Sequence, residues 1–270
     1  MTDWPRRAAA HLAAVRRLRP MVHHLTNDVV TNLTANVTLC LGAAPVMAPS
    51  VEEVEEMVGF AGCLLLNIGT LDPPLVESMI RAGRRANDRD IPVVLDPVGA
   101  GATRLRTESA LRILDACRVS VLRGNAGEVL TLVGSGGKVR GVDSMEDMAG
   151  RDEAVAAWAA RNSTVVAVTG PVDLVTDGRR RLYVHNGHPI LGAVTGTGCS
   201  ATTAVASFLA ASREDPAAST ALALAVFGLA AEQAAARSAG PGTFVPHLLD
   251  ALYALDEAAC MAGIRMEQAA

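Results

Sequence analysis

Short apolar runs alternate with longer helical stretches along this chain, and that alternation constrains its fold more than any other feature. The apolar runs predict buried strands at 63–68, 92–95, 120–122 and 164–168. The stretches between or before them predict helices at 73–87, 107–116 and 144–161. Continuously apolar strands separated by helices are typical of a parallel sheet that is covered on both faces. The sequence therefore predicts an α/β fold.

The rest of the chain adds smaller elements to this plan. A short strand at 45–48 is followed by Ser50 and Glu53, whose spacing predicts a capped helix. Asp177-Gly178 lies between alternating residues and predicts a hairpin at the edge of the sheet. From Cys199 onward the pattern is helical to the end, with a break near 238–242. Since no repeat or linker divides the chain, we expect one domain over residues 1–270.

Charge and composition exclude several classes of partner. The net charge is −4 and no basic stripe interleaved with aromatic residues occurs, so nucleic acid is not expected as a partner. No unbroken apolar run reaches the ~18 residues that a membrane span needs. The nearest, at 217–231, predicts a buried helix. Half of the residues are hydrophobic and only 19% are charged, which weakly favours contacts between subunits.

The N-terminal residues and the cysteines predict a cytoplasmic protein. Residues 1–6 lack the apolar core of a signal peptide. The five cysteines are odd in number, widely spaced and free of any C-x-x-C pattern. Such cysteines are expected to be reduced thiols, with neither a disulfide framework nor a zinc site.

A glycine-rich turn directly before a helix is the first candidate for chemistry. Gly196, Thr197 and Gly198 would expose consecutive backbone N–H groups at a helix N-terminus, which together form an anion hole. Cys199 would lie in the first helical turn, where its thiolate would be favoured. A tight structural turn with a buried cysteine explains the same residues equally well. The segment also fits G-x-G-x-x-A, but no strand follows to complete a dinucleotide-binding unit.

Polar residues after two predicted strands supply candidate metal ligands, because ligands bind beyond the carboxyl ends of strands in α/β sheets. Asp96 follows the strand at 92–95, and Asn125 and Glu128 would share one face of a helix. Asp96 and Glu128 together offer two carboxylates, which suffice for Mg²⁺. Arg123 could face a phosphate. Ordinary turn and capping roles explain these residues as well.

Two further segments carry polar groups. Thr169 ends the strand at 164–168 and could contact a phosphate, although a plain turn is an alternative. The run from His23 to Asn36 is rich in amide and hydroxyl groups and favours binding of a neutral polar ligand, or else capping and core histidines. Neither a P-loop nor a G-x-S-x-G pattern occurs; Gly136-Gly137-Lys138-Val139 lacks the P-loop spacing and hydroxyl.

Taken together, these segments resemble the hydroxyethylthiazole kinase family over residues 20–260. The resemblance is carried by Leu25-Thr26-Asn27, Gly42-Ala43-Ala44-Pro45-Val46-Met47, Asn67-Ile68-Gly69-Thr70, Leu95-Asp96-Pro97-Val98-Gly99, Arg123-Gly124-Asn125 with Glu128, Arg140-Gly141-Val142-Asp143-Ser144 and Val194-Thr195-Gly196-Thr197-Gly198-Cys199. It implies a ribokinase-like three-layer fold and transfer of the ATP γ-phosphoryl group, with Mg²⁺, to the primary alcohol of 4-methyl-5-(2-hydroxyethyl)thiazole. It also implies a cytoplasmic homotrimer with sites near the subunit interfaces.

The resemblance also implies roles for individual residues. Met47, Gly196 and Asn27 correspond to thiazole contacts, Arg123 and Thr169 to ATP contacts, and Asp96 and Glu128 to the Mg²⁺ network. Cys199 stands where related sugar and pyrimidine kinases, and a related dehydratase, usually have an aspartate base. That difference argues against those activities, and the Asp96–Glu128 pair argues against a binding protein without activity. His24 and Asp28 depart from the usual Cys and aromatic residue near the expected thiazole pocket.

Overall fold

The computed structural model describes residues 2–135 and 148–269. The strands are β1 Met21–Leu25, β2 Ala44–Val46, β3 Cys63–Asn67, β4 Val93–Asp96, β5 Val121–Asn125, β6 Val165–Thr169, β7 Asp173–Thr176, β8 Arg181–Val184 and β9 Met266–Ala269. The helices are α1 Trp4–Leu18, α2 Thr31–Leu41, α3 Val54–Val58, α4 Pro73–Asp88, α5 Arg104–Ala116, α6 Ala126–Ser135, α7 Met148–Asn162, α8 Thr197–Ala211, α9 Pro216–Arg237, α10 Pro241–Ala254 and α11 Glu257–Gly263. A 3₁₀ turn, Pro189–Ala193, precedes α8.

All these strands belong to one sheet in the order β2-β1-β3-β4-β5-β6-β7-β8-β9. The strands from β2 to β6 are parallel, and β7, β8 and β9 continue the sheet antiparallel. The carboxyl ends of β1, β3, β4, β5 and β6 therefore lie along the same edge. In the register, Asn67 pairs with Asp96 and Asn125 pairs with Thr169, so polar strand ends are brought side by side.

Two apolar cores lie on the two faces of this sheet. Alternate residues of β3 belong to different cores: Cys63 and Leu65 face one side, and Leu64 and Leu66 face the other. The first core includes residues of α1, α2, α8, α9 and α10, and the second includes residues of α3, α4, α5, α6 and α7. This is the predicted α/β architecture with a mostly parallel sheet and helices on both faces.

Most predicted elements are confirmed, and two predictions are wrong. The helix after β2 begins at Val54 without a side-chain cap, because the Ser50 hydroxyl accepts a hydrogen bond from the Glu52 amide instead. The end of the chain is not helical throughout: Met266–Ala269 forms strand β9, which pairs with the exposed edge of β8. The predicted start of a helix at Ser144, the Arg140–Ser144 motif and the Gly136–Val139 segment lie outside the described residues.

Helix α9 is long and apolar enough to cross a membrane by length and composition. Of its most apolar 18-residue window, 89% is buried inside the protein. Asp215 caps its N-terminus by accepting a hydrogen bond from the Ala218 amide, and Pro216 occupies the first turn. We therefore assign α9 as a core helix, as the sequence predicts.

Candidate active site

The turn before α8 requires a glycine at its centre. Gly196 has φ +85°, and a Cβ there would lie only 2.8 Å from Cγ1 of Val30. No side chain caps α8, so the amide N–H groups of Thr197, Gly198 and Cys199 have no partner within the helix. These groups and the partial positive charge of the helix end make a site for an anion.

Two clefts meet beside this turn. The first has a volume of about 420 Å³ and is lined, among others, by Asn27, Asp96, Arg123, Glu128, Gly196, Gly198 and Cys199. The second has a volume of about 570 Å³ and is lined, among others, by Arg123, Thr169, Thr197, Gly198, Leu224 and Phe227. Arg123 and Gly198 line both clefts, so a group placed between them can be reached from either side.

Arg123 is held rigidly at the junction of the clefts. Its side chain is 10% exposed, and Nη2 donates a hydrogen bond to Oγ1 of Thr169 at 2.7 Å. A Cβ on Gly198 would lie 3.2 Å from Nη1 of Arg123, so the glycine allows the guanidinium to approach the helix end closely. The two residues predicted to contact ATP thus contact each other, and an arginine held this way can bind phosphate oxygens.

Asp96 lies buried at the end of β4 with one oxygen engaged and one free. Oδ2 accepts hydrogen bonds from Nδ2 of Asn67 and from Oγ1 of Thr202, each at 2.8 Å. Oδ1 is buried without a hydrogen-bond partner, and Nη1 of Arg123 lies 3.9 Å from it. Burial raises the pKa of Asp96 to about 6, although the Arg123 charge and the two donors oppose that rise.

Glu128 joins two loops of the first cleft. Its amide donates to Oδ1 of Asn125 at 3.0 Å, and its Oε2 accepts from the Asn125 amide at 2.9 Å. This is a reciprocal capping arrangement. Oε1 accepts from the Gly99 amide at 2.8 Å. The expectation that Asn125 and Glu128 share a helix face is wrong, because Asn125 ends β5 and α6 begins at Ala126.

Cys199 is a neutral thiol that accepts hydrogen bonds from two amides. Nδ2 of Asn67 lies 3.1 Å from its Sγ, and Nδ2 of Asn27 lies 3.7 Å from it. Burial, and next the nearby Asp96 carboxylate, raise the pKa of Cys199 to about 11. The expectation of a favoured thiolate is therefore wrong, because desolvation outweighs the attraction of the helix N-terminus at this site.

Comparison with known proteins identifies the family. The model of the hydroxyethylthiazole kinase family matches residues 12–258. The chain belongs to this family. A hydroxyethylthiazole kinase of Methanocella arvoryzae is 56% identical over 244 residues, which are 90% of this chain and 91% of that protein. The predicted activity class, a kinase that transfers phosphate to an alcohol, is confirmed.

Solved structures confirm the fold. A hydroxyethylthiazole kinase protein from Pyrococcus horikoshii superposes with a TM-score of 0.89 at 43% identity and covers 97% of this chain and 99% of its own. A ribokinase-like superfamily protein from Enterococcus faecalis superposes with a TM-score of 0.60 at 13% identity and covers 86% of each chain. The second likeness shows the fold alone, and the predicted ribokinase-like architecture agrees with it.

Three residues that the hydroxyethylthiazole kinase pattern drew attention to lie outside both clefts. Met47 follows edge strand β2 and is half-buried. His24 is buried, with Nε2 3.1 Å from Oγ1 of Thr38. Asp28 is exposed, and its amide donates to Oγ1 of Thr70 at 3.1 Å. His24 and Asp28 are the two departures from the family pattern. Within a single chain, neither of them lines the cleft that holds Cys199.

Other residues that shape the kinase site were given no role from the sequence, although Asn67 belongs to one of the motifs that carry the family resemblance. Asn67 is fully buried and contacts both Asp96 and Cys199; as a polar residue at the end of an apolar strand, it follows the same pattern that pointed to Asp96. Thr202, on α8, bonds Asp96. Arg106 donates to the carbonyl oxygens of Ile68, Gly69 and Val98 and so ties the loops after β3 and β4 together. No local pattern marks Arg106, because its partners are distant in the sequence.

The carboxylates of the site fit a magnesium ion. No cluster of three or more His, Cys, Asp or Glu side chains that could hold a metal occurs in residues 2–135 and 148–269. Mg²⁺, however, usually takes one or two carboxylates and completes its shell with water and phosphate oxygens. The unpartnered, buried Oδ1 of Asp96 is the free oxygen that such a site needs. Glu128 lines the same cleft, but both of its carboxylate oxygens already accept hydrogen bonds from backbone amides.

Proposed function

We propose that this chain phosphorylates the primary alcohol of 4-methyl-5-(2-hydroxyethyl)thiazole with ATP and so serves thiamine salvage. The alcohol oxygen forms a bond to the γ-phosphorus, the bond from that phosphorus to the bridging oxygen breaks, ADP leaves, and the alcohol proton is released to solvent. The observation that carries the proposal is the meeting of two clefts at Arg123 and Gly198, beside the uncapped N-terminus of α8. Such an arrangement lets an alcohol in one cleft and a nucleotide in the other reach the same anion site.

The thiazole belongs in the smaller cleft, and ATP belongs in the larger one. Asn27 and Gly196 line the smaller cleft and would contact the thiazole. Thr169 and Arg123 would contact the phosphates, and Leu224 and Phe227 offer an apolar wall to the nucleotide base. The γ-phosphoryl group would lie against the amides of Thr197, Gly198 and Cys199, which stabilise the charge that spreads over its oxygens during transfer.

Magnesium would lie near Asp96 and Glu128. The free Oδ1 of Asp96 is the direct candidate, and Glu128 would act through water, because both of its oxygens already accept backbone hydrogen bonds. When bound, the ion would neutralise phosphate charge. Asp96 must be ionised to hold it, and burial raises the pKa of the metal-free carboxyl, so magnesium binding should weaken in acidic solution.

Cys199 would contact the reacting alcohol as a thiol. Its pKa of about 11 leaves few thiolates at neutral pH, so it is a poor proton acceptor there. Phosphoryl transfer is loose, and the alcohol proton need not leave early. Positioning and the backbone anion hole would therefore supply most of the rate, and Cys199 would add a smaller part.

The chain would work as a cytoplasmic homotrimer of single-domain subunits over residues 1–270. The described strands all belong to one sheet, which supports one domain. All five cysteines are free, as expected in a reducing compartment. Met47 follows edge strand β2 outside the clefts of its own chain, so it is free to contact the thiazole in a neighbouring subunit. This arrangement would put each site near an interface.

One assay separates this function from its rivals. The purified chain would be given ATP, with and without Mg²⁺, and the thiazole alcohol, a hydroxymethylpyrimidine or a sugar. We expect ADP release with the thiazole alcohol in the presence of Mg²⁺ and background ADP release with the other alcohols. Turnover with only the pyrimidine or the sugar would refute the thiazole assignment. Equal rates with and without the ion would remove magnesium from the proposal.

A further inference from the structure

Asn67 lies at the centre of the hydrogen bonds that join the site residues. It is the last residue of β3 and is fully buried. Its Oδ1 accepts from Nδ2 of Asn27 at 2.7 Å and from the Gly69 amide at 3.0 Å. Its Nδ2 donates to Oδ2 of Asp96 at 2.8 Å and to Sγ of Cys199 at 3.1 Å. All the hydrogen-bonding capacity of the amide is used, and each side-chain partner lines the smaller cleft.

These contacts fix the orientation of the amide. A flipped side chain would turn its oxygen toward the Asp96 carboxylate and its NH₂ toward the NH₂ of Asn27, which would create two repulsive contacts. A buried amide with every hydrogen bond made is costly to rotate, because each lost bond leaves a desolvated polar group. Asn67 thus holds the side chains of Asn27, Asp96 and Cys199 at fixed positions relative to one another.

The same contacts determine which atoms of Asp96 and Cys199 are available for chemistry. Asn67 and Thr202 both bond Oδ2 of Asp96, so the carboxylate is held with Oδ1 as its free oxygen. Sγ of Cys199 accepts N–H groups from Asn67 and Asn27, which occupy its lone pairs. The S–H bond must then point away from both amides.

We propose that Asn67 is a positioning residue for phosphoryl transfer, which acts through Asp96 and Cys199 and does not itself contact the substrates. It lines neither the smaller nor the larger cleft. The inference rests on the proposed function for its kinetic consequence, whereas its effect on the Asp96 carboxylate holds without any substrate. Loss of Asn67 should lower the rate of the chemical step and leave substrate binding largely intact.

The kinetic test uses Asn67→Ala, Thr202→Val and the matched control Asn87→Ala. Asn87 also joins two elements, through the amide and carbonyl of Arg118, but it lies away from both clefts. We expect kcat of Asn67→Ala to fall about 10- to 100-fold, the loss expected from misplaced groups, while KM for each substrate changes less than about threefold. Thr202→Val, which removes the other donor to Oδ2 of Asp96, should lower kcat in the same way and leave each KM within the same range. Asn87→Ala should match the native chain.

A double-mutant cycle tests the route through Cys199. The loss of kcat on changing Asn67→Ala should be smaller in a Cys199→Ala background, because one of its two partners is already absent. A folded Asn67→Ala chain with native kcat would overturn the proposal. So would the same fall in kcat in Asn87→Ala, or full additivity with Cys199→Ala.

A substrate-free measurement separates this inference from the proposed function. Crystal structures of the native chain and of Asn67→Ala without substrates report the positions of the Asp96 carboxylate and the Cys199 side chain directly. Loss of the Asn67 amide leaves Thr202 as the remaining side-chain donor to Oδ2 of Asp96, so we expect the Asp96 and Cys199 side chains to move from their native positions. Asn67→Ser, a smaller change, would take the place of Asn67→Ala if that chain does not fold. Unchanged Asp96 and Cys199 side chains in the variant would refute the inference, and a native chain without thiazole kinase activity would refute only the proposed function.

Discussion

At the scale of single residues, Cys199 shows how burial can reverse an expectation drawn from local sequence. The first turn of a helix favours a thiolate, but this thiol is half-buried beside the Asp96 carboxylate, and desolvation raises its pKa to about 11. The thiol still lines the smaller cleft, where we propose that the alcohol binds, and it contacts Asn27 and Asn67. Its contribution should be that of a positioned group, on the order of 10²- to 10⁴-fold at most.

This account predicts the behaviour of two Cys199 variants. Cys199→Ala should keep measurable turnover, because Arg123, Asp96 and the amides of the α8 turn remain in place. Cys199→Asp should stay active, because a carboxylate can accept the alcohol proton at neutral pH. Steady-state kinetics with the thiazole alcohol and ATP measure both. Complete loss of activity in a Cys199→Ala chain with a native circular dichroism spectrum would contradict the account.

The sequence predicts which polar residues gather at the site but not how each is bonded. Asp96, Arg123 and Thr169 end or follow apolar strands, and the parallel sheet brings them to one edge. Glu128 is at the predicted place, yet only the fold shows that Gly99 and Asn125 occupy its oxygens. Shifts in pKa depend on burial by distant segments, so no local pattern predicts them.

At the scale of elements, the same limit appears where tertiary contacts decide the structure. Strands β3 to β6 are strongly apolar and, like the short strand β2, were predicted within a few residues, whereas the parallel strand β1, which carries His23 and His24, was not predicted. Strand β9 is half polar and was missed, because its own residues carry no strand pattern. It forms a strand through pairing with β8, more than 80 positions earlier in the chain. The Asp177-Gly178 hairpin was predicted because its turn chemistry is local.

The homotrimer, which the family resemblance predicts, can be tested at edge strand β2 and helix α2. Leu39 on α2 is 54% exposed, and the outer edge of β2 is open in the sheet order. We expect light scattering to give about three times the chain mass of 28.0 kDa. Leu39→Asp should shift the mass toward one chain and lower turnover, because a buried unpaired charge opposes association.

Leu105→Asp is the matched control for that variant. Leu105 has the same exposure, 54%, but lies on α5 across the sheet. The control should keep the trimer and its activity. A native mass for Leu39→Asp would show that the face of α2 that carries Leu39 is not an interface, and a single-chain mass for the native protein would contradict the trimer.

At the scale of the whole molecule, the buried carboxylates set how stability depends on pH. Burial raises the pKa of Asp96 and of Asp173 to about 6. A group whose folded pKa is raised contributes most stability below its unfolded value and loses that contribution as pH rises through the folded value. Asp215 behaves in the opposite way: bonds from Arg180 lower its pKa to about 2, so its contribution is present above pH 3.8 and lost as pH falls toward 2.

Asp96→Asn should therefore stabilise the kinase against unfolding as pH rises, at the expense of activity. An asparagine keeps an oxygen for Asn67 and Thr202 to donate to, and it removes the charge that burial opposes. A rise from 3.8 to about 6 corresponds to about 3 kcal/mol, so the difference in unfolding free energy between variant and native chain should grow by up to that amount from pH 4 to pH 8. Urea unfolding without ATP or Mg²⁺, at a fixed protein concentration, measures it. Asp215→Asn should be less stable than the native chain throughout pH 4 to 8, because Arg180 stabilises the charged carboxylate of Asp215 there. Parallel curves for Asp96→Asn and the native chain would show that burial does not raise the pKa of Asp96. The assignment of its Oδ1 as a buried oxygen without a hydrogen-bond partner would then fail as well.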